Sequence, residues 1–203
     1  TTAPARAPRA FSPARILAAA ALASGLAAAA PGDFDPAFGT GGKVSTNFST
    51  TTPVFGEGRG VALQADGKLV VCGSSVEGTV THFALLRYNP DGTQDASFGT
   101  GGIVRTFVGA FDLCNAVAIQ PADQKIVAVG FNDANGNDFV VVRYLANGTL
   151  DSTFGTGGIA TFDIAGTAAQ DRANGVVALA SGKILVTGWA TMAGTGRDFA
   201  TIR

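Results

Sequence analysis

The chain has 203 residues, 46% of them hydrophobic and 14% charged, with a formal net charge of −1. That length is enough for one domain with a real core, and the charge balance leaves no basic stripe for a nucleic-acid partner. Past residue 30, no segment is long and apolar enough to span a membrane.

In chain order, the first element is a targeting segment. Arg6, Arg9 and Arg15 precede an apolar run from Ile16 to Ala30 that ends in alanines, which reads as a secretory signal peptide over residues 1–30. No cysteine follows it, which argues against a lipid anchor. Removing it takes three arginines and leaves a charge of about −4 on residues 31–203. The expected location is secreted, periplasmic or cell-surface.

The rest of the chain repeats. FGTGG occurs at Phe38–Gly42, Phe98–Gly102 and Phe154–Gly158. RGVALQADGKLVVCG (Arg59–Gly73) returns as NAVAIQPADQKIVAVG (Asn115–Gly130) and NGVVALASGKILVTG (Asn174–Gly188). HFALLRY (His82–Tyr88) returns as DFVVVRY (Asp138–Tyr144) and DFATIR (Asp198–Arg203). Three classes of landmark share one period, so the repeat governs every later reading.

The segment 31–52 carries DPAFGTGG and one strand, Lys43–Phe48, equivalent to the fourth strand of a unit. Units follow at about 53–111, 112–165 and 166–203. In the first, strands are predicted at Val61–Gln64, Lys68–Ser74, Phe83–Asn89 and Ile103–Phe107. Asp66-Gly67 and Pro90-Asp91-Gly92 supply the turns between them. The interiors Leu69–Cys72, Ile126–Val129 and Phe139–Val142 are continuous apolar runs, so both faces of each sheet should be buried. The expected fold is all-β: propeller blades of four antiparallel strands, about three of them, in an open arc. A β-helix would need a shorter period. The expected partners include further blades of a longer protein or, as the second choice, a homodimer whose arcs close a ring.

The pattern V-A-L-Q-x-D-G-K-[IL]-V-V-x-G, then D-F-[AV]-x-x-R-Y-N-x-D-G-T-x-D-x-x-F-G-T-G-G, resembles the delta-60 repeat family of predicted propeller proteins. The resemblance covers Asp33–Arg203. Ala122-Asp123-Gln124 and Ala178-Leu179-Ala180 depart from it. It implies an exported bacterial repeat protein and brings no biochemical activity with it. A weaker similarity links the chain to NHL-type propellers, which are binding platforms.

Chemical motifs are scarce. Gly39-Thr40-Gly41-Gly42-Lys43 lacks the first glycine and the Ser/Thr of a nucleotide loop, and isoleucine replaces Lys43 in the later copies. No cofactor is expected. Arg87 and Arg143 each precede an acid, Asp95 and Asp151, by eight residues across a turn. They are expected to form structural ion pairs within a blade rather than a catalytic site. Cys72 and Cys114 are candidates for one disulfide, against the preferred reading of Cys72 as a small buried apolar residue. Asp133–Asp138 has the oxygen-rich look of a calcium loop but reads better as an Asn/Asp/Gly turn, so no metal is expected. His82, the only histidine, reads as a strand-entry residue, and Asn147-Gly148-Thr149 as a repeat turn rather than a glycosylation site. No catalytic residue is singled out. The leading functional reading is an exported, non-catalytic binding or surface-display scaffold for a protein or glycan ligand. The alternative is a propeller hydrolase or lyase with its catalytic groups in the channel or in further blades.

Overall fold

The computed structural model describes residues 30–47, 56–133, 136–166 and 169–203. The signal segment, apart from Ala30, lies outside them. The described residues form eleven strands and no helix. Blade 1 contains β1 (Gly56–Leu63), β2 (Leu69–Glu77), β3 (Val80–Tyr88) and β4 (Ile103–Thr106), hydrogen-bonded in that order. Blade 2 contains β5 (Asp112–Ile119), β6 (Ile126–Asn132), β7 (Asp138–Tyr144) and β8 (Ile159–Phe162). Blade 3 has three strands, β9 (Asp171–Ala178), β10 (Ile184–Met192) and β11 (Gly196–Ile202). All the ladders are antiparallel.

Successive blades meet through their first strands, β1 against β5 and β5 against β9, so these line the inner side of an open arc. Two cores fill the junctions. Val70, Cys72, Phe83 and Leu85 of blade 1 pack on Val117, Ile126, Val140 and Val142 of blade 2. Val127, Val129, Phe139 and Val141, on the other face of blade 2, pack on Ala173, Val186 and Ala200 of blade 3. Burial on both faces explains the continuous apolar runs, and β6 is buried along its whole length.

The strands run longer than the apolar runs suggest. β2 and β3 continue to a tight hairpin at Gly78-Thr79, with Glu77 paired to Val80. Gly56 and Glu57, outside the predicted strand Val61–Gln64, join β1 by pairing with Ser75 and Ser74. Backbone pairing carried past the hydrophobic residues leaves no trace in an apolar pattern.

The expected N-terminal strand at Lys43–Phe48 needs correction. Phe38–Gly42 adopts the FGTGG bend, but the described part of that strand, 43–47, makes one bridge, Gly39 to Lys43, and no ladder; Phe48 lies outside the described residues. In blades 1 and 2 the fourth strand pairs with the third strand of its own sheet. Among the described residues, the segment before blade 1 has no such third strand beside it.

The FGTGG bend also docks onto the next blade. The Gly39 amide donates to Asp91 of blade 1 at 2.7 Å, and the Gly99 amide of blade 1 donates to Asn147 of blade 2 at 3.1 Å. Gly99 has φ +54, and a Cβ there would collide with the Ile103 carbonyl, so the bend requires glycine. Thr46 and Thr106 repeat the relation further along. Their hydroxyls meet the hydroxyls of Tyr88 and Tyr144, each at 2.7 Å.

Candidate binding site on the innermost strands

The Arg/Asp pairs fall where their spacing across the turn places them. The Asp95 amide donates to the Arg87 carbonyl, closing the hairpin, and Arg87 Nε donates to Asp95 Oδ2 at 2.8 Å. The guanidinium also lies over the Phe98 ring, 4.6 Å from its centroid. In blade 2, Arg143 Nε donates to Asp151 Oδ2 at 2.7 Å and covers Phe154 at 4.6 Å. Each acid gains a second cation that sequence spacing did not indicate. Lys68 reaches Asp95 at 3.0 Å and Lys125 reaches Asp151 at 3.1 Å. These lysines recur in the first turn of each unit, and that recurrence was the available signal. Hydrogen bonds from the Ser97 hydroxyl and from Lys68 hold Asp95 well below the usual carboxylate range. The Thr153 hydroxyl and Lys125 do the same for Asp151. Such acids stay ionised and cannot trade protons near neutrality, so the clusters are unsuited to general acid–base work.

Cys72 and Cys114 come together in the core between blades 1 and 2, but as two free, buried thiols; the candidate disulfide is not formed. Burial pushes the Cys114 thiol up, which suits packing rather than reactivity. His82 opens onto the Phe107 ring, with centroids 6.1 Å apart, beside the first blade junction. Of the oxygen-rich loop 133–138, Ala134 and Asn135 lie outside the described residues. Asp133 Oδ1 accepts the Phe111 amide at 2.9 Å.

The inner side carries a polar row that the sequence reading did not single out. Each first strand has a register shift at one residue: Arg59 in β1, Asn115 in β5 and Asn174 in β9. A bulge leaves one residue out of the ladder and re-aims its side chain. Gly73, Gly130 and Gly188 mark the place on the second strand. A Cβ on any of them would overlap a carbonyl of the first strand, that of Glu57, Leu113 or Arg172. The three bulged side chains then link from blade to blade. Arg59 Nη1 donates to Asn115 Oδ1 at 2.9 Å, and Asn115 Nδ2 donates to Ala173 O at 2.8 Å and Asn174 Oδ1 at 3.2 Å. The glycine closing each repeated GKLVVCG-type run was the legible signal, although it names the bulge only once the ladder is known.

Beside this row, blades 2 and 3 bring cationic and aromatic side chains together. Arg172 lies 4.1 Å over Phe131 and 5.6 Å from Trp189, and Arg197 lies 4.1 Å over Trp189. Burial lowers the pKa of Arg172, and the neighbouring charges of Arg197 and Arg59 lower it further. A pocket of about 330 Å³ opens beside the row, lined by Glu57, Arg59, Ser74, Thr81, Phe111 and Leu113. Arg59 keeps a 2.6 Å ion pair with Glu57 while its side chain stays 37% exposed. The arrangement offers hydrogen-bond donors, positive charge and an aromatic face, which is the equipment of a binding surface.

Among curated proteins none matches the chain. A family described as Domain of unknown function (DUF5122) beta-propeller matches three segments, residues 64–98, 122–154 and 179–203. Each begins in the turn after a first strand and takes in the second and third strands; the first two run on to the phenylalanine of FGTGG. The matched unit is therefore the repeat itself, so these three segments are copies of this β-propeller repeat, in accord with the delta-60 resemblance.

Proposed function

We propose that the protein is an exported, non-catalytic β-propeller scaffold that binds an anionic glycan or protein segment along its inner strands. The observation that carries this reading is the row Arg59–Asn115–Asn174. Its backbone setting is the same in all three blades, while blade 1 carries an arginine where blades 2 and 3 carry asparagine. A purely structural position would be expected to keep one residue type, as Phe83, Phe139 and Phe199 do at their shared position. Arginine and amide groups bind and orient without exchanging protons, which favours binding over the hydrolase or lyase alternative. Export rests on the residue 1–30 pattern and sets the expected place of action as secreted, periplasmic or cell-surface.

An array of neutral and uronate-containing oligosaccharides, with acidic and basic peptides alongside, tests the reading. The wild-type chain is expected to retain acidic probes, and Arg59→Ala combined with Asn115→Ala to lose them at unchanged circular dichroism. Retention of no probe, or equal retention by the double variant, would defeat the proposal. Release of reducing ends from a retained glycan would turn it toward the enzyme alternative.

A second reading concerns partners. Phe83 and Phe139 are fully buried by the following blade, whereas the equivalent Phe199 of blade 3 is 99% exposed. On the opposite end face Val61 is 63% exposed, whereas its equivalent Val117 is 9% exposed. Both end faces thus present the surfaces that a neighbouring blade covers elsewhere in the molecule. A further blade of the same protein, or of a second copy, fits there. Sedimentation equilibrium distinguishes a self-associating arc from a monomer, with Phe199→Asp expected to dissociate any dimer.

A further inference from the structure

The junction between blades 2 and 3 holds a group of acids that the repeat does not require. Asp138 opens β7, Asp163 follows β8 and Asp171 opens β9. One carboxylate oxygen from each lies within 4.8 Å of those of the other two. Two oxygens on one calcium ion, each at about 2.4 Å, stand at most about 4.8 Å apart. The spacing therefore suits a single shared ion. Magnesium, at about 2.1 Å, would need a tighter group.

Asp171 points to a ligand independently. It is 1% exposed, and its Oδ2 accepts the Ile164 amide at 2.6 Å and the Ala165 amide at 3.0 Å. Its Oδ1 is buried and has no hydrogen-bond partner. Buried acceptors are costly when unpaired, and this one stands among crowded carboxylates. Among the described residues no lysine or arginine forms an ion pair with any of the three acids.

The first junction serves as an internal control. Asp112 occupies the place of Asp171, with Oδ2 accepting the Val108 amide at 2.7 Å and the Gly109 amide at 3.0 Å, and its Oδ1 is also unpartnered. There His82 stands in the position of Asp138, and Phe107 in that of Asp163. At the second junction the place of the imidazole is taken by another carboxylate, so three acids gather there where the first junction has one.

We propose that Asp138, Asp163 and Asp171 bind one hard divalent cation of the calcium type that ties blade 2 to blade 3. Oxygen-only donors of this charge match calcium chemistry rather than that of zinc or copper. Isothermal titration of the chelator-treated chain with calcium chloride is expected to show one ion per chain and a higher melting temperature, with weaker binding of magnesium. Asp163→Asn, which keeps an acceptor for the Gly166 amide, and Asp138→His, which copies the first junction, should each weaken calcium binding at least tenfold. No heat of binding at millimolar calcium, or wild-type affinity in both variants, would overturn the proposal.

Discussion

The two blade junctions share one backbone plan and differ in what closes them. At the first, Arg87 reaches across to the Ala146 carbonyl of blade 2 at 2.5 Å, FGTGG docks on the Asn147 turn, and Phe98 is fully buried. At the second, the side chain of Arg143 is 16% exposed against 8% for Arg87, and Phe154 is only partly buried. The motif is covered more tightly where the Asn147 turn lies against it. The acids at Asp138 and Asp163, in place of His82 and Phe107, show the other half of the lesson. A repeat can hold its frame constant while a few substitutions change the chemistry at one junction.

The largest expected effect breaks the equivalence of the shared phenylalanine position. Phe139→Ala should cost about 3–5 kcal/mol in urea unfolding, because it empties a filled core. Phe199→Ala should stay within about 0.5 kcal/mol, as a surface change does. Similar costs at both sites would mean that the face of blade 3 is covered in solution.

Next in size comes the clamp. Asp95→Asn should lower stability by about 1.5–3 kcal/mol, the range for a hydrogen bond to a charged group. It should exceed the effect of Asp151→Asn, because Arg87 also donates to the Ala146 carbonyl of blade 2 and is the more deeply buried arginine. The reverse order of melting temperatures would remove the distinction between the junctions.

Acid sensitivity follows from the same carboxylates. Asp95 and Asp151 titrate below their unfolded value of about 3.9, so their contribution is complete above that pH and is lost as pH falls toward the folded values. Melting temperature should therefore drop below about pH 4, and Asp95→Asn with Asp151→Asn should flatten that limb. An unchanged acid limb in the double variant would show that other groups produce it.

The smallest effect sharpens the contrast in charge. Burial first, then Asp163 and Asp171, raises the pKa of Asp138, so its ionised form costs stability in the absence of a cation. In the presence of chelator, Asp138→Asn should raise the melting temperature slightly at pH 7, while added calcium reverses the ranking in favour of the wild type. A lower melting temperature for the variant with chelator present would argue that Asp138 makes a favourable contact as it stands.

Much of this was legible along the chain. Turn pairs such as Asp66-Gly67, apolar runs such as Ile126–Val129 and the fixed Arg–Asp spacing specify the unit because each acts over a few residues. The acid trio was not legible. Asp138, Asp163 and Asp171 come from three strand ends in two blades, and nothing local distinguishes them from turn and linker acids. The bulge row escaped for a related reason, since a register shift belongs to a pair of strands and neither strand shows it alone. Local backbone preference and burial pattern, repeated three times, were enough to determine the blade and its period. Only the tertiary structure decided which faces are covered, which cations meet Asp95 and Asp151, and which acids converge, because those depend on how one blade stacks against the next.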